Sequence, residues 1–186
     1  MNKKPFFVTL LMLFSVISLP CCSKKPSEPI YCQYADDITH PYIAYVSKKY
    51  QLYCYGQGGG FLQNVNKIIL YFENQNKKLD VEQSRILIVN CVEELLQRIN
   101  KYERIRPYLQ NYPFTNKEIK ISIAFYNKTE KRVEQKYIAF IFIKNGKLTY
   151  CSYNHETKQF IDMHEEPYTE ALEKVKVSGQ LQLSNS

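Results

Sequence analysis

Tryptophan is absent from this chain, histidine occurs three times, and only six glycines are spread over 186 residues. Each scarcity removes a class of chemistry. The histidines, His40, His155 and His164, form no His-Glu-x-x-His zinc helix, and no Gly-x-Ser-x-Gly elbow offers a serine nucleophile. No two cysteines stand in a Cys-x-x-Cys spacing, which argues against a thiol–disulfide exchange enzyme and a structural zinc site. Long basic runs are missing as well: the 25 Lys and Arg outnumber 18 Asp and Glu but are scattered, so no nucleic acid partner is expected. Outside residues 6–19 no apolar run approaches the ~20 residues that a membrane span needs.

What is present begins with that run. Lys3 and Lys4 precede the hydrocarbon stretch 6–19, and Pro20, Cys21, Cys22 and Ser23 follow it. A positive start and an h-region of about 14 residues describe an export signal. The stretch resembles the leader of a bacterial lipoprotein, which a lipoprotein signal peptidase cuts before a cysteine that carries lipid. Counted from Cys22, Leu19 takes the −3 position and Cys21 the −1 position. The resemblance therefore implies Cys22 as the lipid attachment site, with Cys21 as the alternative because Pro20 departs from the small residue usual at −2. It covers about the first 23 residues. It implies that residues 1–21 are a signal peptide and that the mature chain holds its membrane through an N-terminal lipid. Lipoproteins of this class carry two or three acyl chains, whereas one chain, at ~0.8 kcal/mol per buried CH₂, holds only marginally. Ser23 stands where an Asp would signal inner-membrane retention, which favours the outer membrane of the cell envelope. An ordinary secretory signal and an uncleaved anchor are the alternatives.

Without Lys3 and Lys4 the formal charge falls from +7 to +5, a surplus suited to anionic headgroups or cell-wall polymers. Residues 22–31 read as a polar, proline-bearing tether, 32–179 as one domain, and 180–186 as a polar tail. Four cysteines remain beyond the leader. In an exported compartment Cys32 and Cys54, flanking the same irregular segment, are the first disulfide expected. Cys91 and Cys151 either pair or act as small buried hydrophobes.

Tyrosine is abundant between 31 and 55, and 42–55 is β-prone enough for one or two strands. The glycines at 56, 58, 59 and 60 then predict a mobile loop or sharp turn. They lack the Gly-Lys-Ser/Thr of a P-loop, and Phe61 and Leu62 follow instead, which favours a flexible loop over a phosphate cradle. Residues 67–73 read as a buried strand. Asp80 with Gln83 has the form of a capping box, and Ile88, Val92, Leu95, Ile99 and Tyr102 repeat at helical spacing, predicting a helix over about 81–103. Glu93, Glu94, Gln97 and Arg98 are assigned to its outer side. Residues 118–126 alternate as a half-buried strand, and 136–144 is apolar on both faces, as in a central strand. Asn145–Gly146 predicts a hairpin turn into a strand over 148–153, and 167–177 a short helix.

The order suggests an α+β fold: an antiparallel sheet of about four to five strands with one long helix packed across one face. Cystatin-like folds share this order by analogy only, and the Gln-x-Val-x-Gly inhibitory loop is missing. Cys151, His155, His164, Asp162 and Glu165 match no compact metal-ligand template, and the carboxylate pairs at 36–37, 93–94 and 165–166 have no second cluster for acid/base work. No catalytic residue, metal or cofactor is assigned, and an enzyme is not expected. The domain reads as a binding or structural module at the envelope. The alternative is a cell-wall or glycan-binding module, with Tyr42, Tyr45, Tyr50, Tyr53 and Tyr55 as ligand contacts because tyrosine offers a rigid ring with a polar tip. An envelope protein is the other candidate partner.

Overall fold

The computed structural model describes residues 28–129 and 131–183. The leader, Cys21 and Cys22 lie outside the described residues. The order of elements is α1 Ile30–Tyr50, β1 Tyr53–Gly60, β2 Lys67–Gln75, α2 Val81–Lys101, a 3₁₀ segment Glu103–Tyr108, β3 Ile119–Tyr126, β4 Phe140–Lys144, β5 Lys147–Asn154, β6 Gln159–Pro167 and α3 Tyr168–Val177. The chain is α+β, with one six-stranded sheet in the order β1-β2-β3-β4-β5-β6.

The sheet is mixed. β2 and β3 run parallel, while every other neighbouring pair is antiparallel. The parallel pair follows from α2, which carries the chain from the end of β2 back to the start of β3; adjacent parallel strands need such a crossover. This corrects the all-antiparallel expectation and adds a strand to it.

α2 forms for the reasons legible in its sequence. Asp80 accepts a hydrogen bond from the Gln83 backbone N–H at 2.8 Å, and the Gln83 side chain reaches back to the Asp80 backbone, closing a capping box. Ile88, Val92, Leu95 and Ile99 are fully buried. Glu94 is buried too, contrary to the expected outer position, and Arg98 one turn on donates to it at 2.8 Å.

The region read as strand over 42–55 is largely helix. Ala35, Ile38, Tyr42 and Val46 recur at helical spacing and face the core. Burial of that stripe outweighs the tyrosines' β preference and Pro41 inside the helix. Tyr42 donates to the Cys91 carbonyl at 2.8 Å and ties α1 to α2. α1 begins at Ile30, so the last residues assigned to the tether are helical. The glycine cluster is not a loop but the second half of β1.

Along β2 and β3, Ile68, Leu70 and Phe72 stand beside Ile119, Ile121 and Ile123, all buried under the helices. Ile141 and Ile143 of β4 and Leu148 and Tyr150 of β5 continue that layer. The hairpin turn is as expected, with Asn145 at φ 53° and Gly146 at φ 76°. Part of the predicted tail is docked rather than free: Asn90, buried on α2, donates to the Gln180 carbonyl at 3.0 Å and accepts from the Gln182 N–H at 2.5 Å.

Candidate functional site

The helices pack on one side of the sheet, and the strand residues that alternate to the other side form its uncovered face. Phe140 and Phe142 of β4 stand opposite Ala124 and Ser122 of β3. Those two small residues are only 2 % and 1 % exposed although they point away from the helices, because the phenylalanine rings roof them. The rings continue sideways: Phe140–Phe142 centroids are 5.5 Å apart, Phe140–Phe160 5.7 Å and Tyr153–Phe160 5.4 Å. The Arg132 guanidinium lies over Tyr126 at 4.3 Å and over Phe160 at 5.0 Å, a cation–π stack between β3 and β6. Toward the β1 edge Tyr55 and Tyr71 are 5.9 Å apart, and Lys120 donates to the Tyr71 hydroxyl at 3.0 Å.

Two glycines shape this edge. A Cβ at Gly56 would sit 3.2 Å from the Tyr71 ring, so its absence lets the ring lie against β1. At Gly58, beside Ile69, a Cβ would meet nothing within 4 Å. Glycine there weakens the strand for no packing reason, and such a bare stretch admits close approach by a ligand.

The five tyrosines expected to meet a ligand fall in three places. Tyr42 is fully buried and works as core. Tyr45 and Tyr50 on α1 flank Lys49, which donates to Tyr45 at 2.7 Å and lies 5.1 Å from the Tyr50 ring centroid. Burial raises the Tyr50 hydroxyl to about 12. Tyr53 and Tyr55 on β1 are 66 % and 53 % exposed, and Tyr55 alone of the five joins the ring cluster of the uncovered face. That face was not found from the sequence. Its signal was the run 136–144, where apolar residues on both sides read as a strand covered twice.

A second constellation lies on the helix side. Glu166, 3 % exposed, accepts from Arg85 Nε at 2.6 Å, Tyr150 Oη at 2.6 Å and Lys174 Nζ at 2.7 Å, with His164 Nε2 at 3.6 Å. Burial pushes its pKa up, but the hydrogen bonds from Arg85, Lys174 and Tyr150 outweigh that and bring it down to about 2. Burial and the same carboxylate hold the Tyr150 hydroxyl protonated, well above its ordinary range. A carboxylate so fully engaged is neither a general acid nor a general base near neutral pH. It is a knot that ties α2, β5, β6 and α3.

The remaining candidates stand apart. Cys32 and Cys54 are free thiols, one in the first turn of α1 and one at the start of β1, beyond the other end of that helix, so the expected disulfide is not made. Cys91 is buried and unpaired, and burial pushes its thiol up to about 12. Cys151, raised to about 12 by burial and by Asp162, lies 3.2 Å from that carboxylate. His155 turns to the Val133 carbonyl at 2.9 Å, and His164 packs on the Tyr150 ring. Among the described residues no group of three or more His, Cys, Asp or Glu side chains could hold a metal ion, and no helix is long and apolar enough to cross a membrane.

Compared with known protein families, with curated proteins and with solved structures, the chain matches none.

Proposed function

We propose that this chain is a lipid-anchored envelope protein whose domain is a binding module, and that its ligand meets it on the uncovered face of the sheet. The observation that carries the reading is the connected aromatic surface of Phe140, Phe142, Phe160 and Tyr153, with Arg132 stacked on its margin, left without a covering helix. Phe160 is exposed and Phe140, Phe142 and Tyr153 are half-buried beside it, and apolar surface gathered on one face of a domain marks an interaction site. The leader read at 1–23 supports the envelope address, because an anchored domain needs a surface turned to its surroundings.

The ligand class that fits this surface best is a glycan strand of the cell wall. Flat rings stack on sugar faces, the bare backbone at Gly58 admits a ring closely, and Lys120, across Ile69 from it and bonded to the Tyr71 hydroxyl, places a cation on the same face. The test is a titration of the purified full chain with soluble peptidoglycan strands, followed by tyrosine fluorescence, alongside Gly58→Val. The valine enters open space, so the fold should melt at the parent temperature or higher while binding weakens about tenfold or more, equivalent to ~1.4 kcal/mol. No response at millimolar ligand would remove the glycan reading. Protein adducts from a photo-crosslinker at Phe142 in intact cells, with no glycan adducts, would assign the face to an envelope protein instead.

A further inference from the structure

The strands give the domain two ends. At one end lie the 61–66 connection, the start of β2, the start of β3 and the Asn145–Gly146 turn. α1 begins at this same end, because Tyr31 donates to the carbonyls of Phe61 at 3.1 Å and Leu62 at 3.3 Å. The chain therefore leaves the domain toward its N-terminus beside Leu62.

We infer that this end of the domain docks on an anionic lipid bilayer, with Leu62 entering the headgroup region and Lys67, Lys117, Lys144 and Arg104 meeting the phosphates. The inference rests on the lipid anchor of the preceding section. Six residues lie between Cys22 and Pro29, and the seven steps reach at most about 25 Å when fully drawn out. α1 is 21 residues long, roughly 30 Å. An anchor at Cys22 keeps the α1 start near the bilayer, whereas the far end meets it only if the domain turns over along a fully stretched tether.

The side chains at the near end suit such a surface. Leu62 is 91 % exposed, the largest exposure among the apolar side chains of the described residues, and Ile30 and Tyr112 at this end are 41 % and 54 % exposed. Lys67, Lys117, Lys144 and Arg104 enter no ion pair among the described residues. Of the carboxylates nearby, Glu118 is turned to Thr115, Glu165 is held by Lys147 and Glu103 stands 3.7 Å from Arg106, which leaves Glu28 and Glu170, in the first turn of α3, as the opposing charges. Charge alone does not choose this end, since Lys48, Lys77, Lys128 and Lys158 line the other. The exit of the chain and the exposed leucine choose it. Lysine and arginine near an anionic surface are attracted within a Debye length, so the contact is salt-sensitive.

The full chain, carrying whatever lipid the cell attaches, is reconstituted in vesicles of phosphatidylcholine with roughly 30 mol % phosphatidylglycerol, or of phosphatidylcholine alone. A benzoylphenylalanine replaces Leu62 or, at the far end, Thr157. The expected result is lipid adducts at position 62 about tenfold above position 157 in anionic vesicles, and fewer in neutral ones. About 0.5 M NaCl, which shortens the Debye length to roughly 4 Å, should remove most of them. The combined Lys67→Glu, Lys117→Glu and Lys144→Glu variant should do the same. Equal yields at 62 and 157, with the protein still floating on its vesicles, overturn the docking and leave the anchor standing. A chain of unmodified mass overturns the anchor reading; if it nevertheless floats with anionic vesicles alone in a salt-sensitive way the docking stands, and if it floats with neither vesicle the docking falls as well. Adducts from position 62 to added peptidoglycan strands instead of lipid would assign these lysines to the glycan and end the lipid proposal.

Discussion

Replacing Glu166 by Gln tests the buried knot and the packing of α2, α3 and the end of the sheet together. The magnitude follows from the carboxylate's pKa. A group held at about 2 in the folded chain and near 4.5 when unfolded contributes ~3 kcal/mol at neutral pH, since each pH unit is worth about 1.4 kcal/mol. Breaking a buried ion pair from one side costs ~3–5 kcal/mol by comparison with other proteins, because the partner charge is left behind. Here Arg85 and Lys174 would both lose their acceptor. Glu166→Gln should thus lower the unfolding free energy by about 3 kcal/mol at pH 7, a large share of the 5–15 kcal/mol typical of a domain. The sign of the pH dependence is fixed by the depressed pKa. The contribution is complete above about pH 4.5 and is lost as pH falls toward 2. Urea unfolding of parent and variant at pH 7 and pH 3 should therefore show the gap between them closing by ~2 kcal/mol at the lower pH, because only the parent has this proton to gain. Other carboxylates titrate in both chains and cancel. Repeating the pair in a His164→Asn background removes the imidazole 3.6 Å away from the comparison. A gap below ~1 kcal/mol at pH 7, or one that does not narrow in acid, would mean that the knot is not made as described.

Two further perturbations probe different layers. Leu95→Ala empties a fully buried site on α2 and should cost ~2–5 kcal/mol in urea unfolding; near-neutral behaviour would mean that this helix face does not pack on the sheet. Asn90→Ala removes the carboxamide that holds residues 180–182, so the Gln182 amide should lose its protection from hydrogen exchange, with ~1–3 kcal/mol of stability; unchanged protection would show that Leu181 packing alone keeps the segment down.

Elements whose signals are local were legible in the sequence. α2 announced itself through Asp80, Gln83 and its buried stripe, and the β4–β5 turn through Asn145–Gly146, where both residues need positive φ. α1 was misread although Ala35, Ile38, Tyr42 and Val46 carry the helical period, because tyrosine content and Pro41 pointed the other way. β6 has no periodic signal to offer: most of its residues are exposed on both faces, as an edge strand permits, and Phe160, Ile161 and Met163 follow one another in a polar run. The parallel β2–β3 pair was implicit in the strand–helix–strand order but was overruled by the antiparallel hairpins after it. Buried charge was the least legible feature. Arg85 and Glu166 are 81 positions apart, so nothing near either one announces that it is paired inside the fold.

The two proposals constrain one another through geometry. If the end bearing Leu62 rests on the bilayer, β1 to β6 rise away from it, and the uncovered face stands up from the membrane rather than lying against it. Phe140, Phe160 and Tyr153 then sit toward the far half of the strands, since Phe140 begins β4 and Tyr153 and Phe160 flank the distal β5–β6 turn. Tyr153 and Phe160 are thereby held about 20 Å from the membrane end of β5 and β6 at ~3.3 Å per residue, and Phe140 about 13 Å from that of β4, so a wall polymer reaches the distal rings while lipid does not. The lysines at 67, 117 and 144 occupy the opposite half, so Tyr153 and Phe160 are separated from the phosphate-bearing surface along one strand direction, while Gly58 and Phe142 stand nearer to it. A domain lying flat instead would bury Phe160 and Tyr55 in the headgroup layer. The exclusion of lipid adducts from a photo-crosslinker at Phe160, beside the distal β5–β6 turn, in the same vesicles that label position 62 is therefore required for both proposals to hold in one molecule.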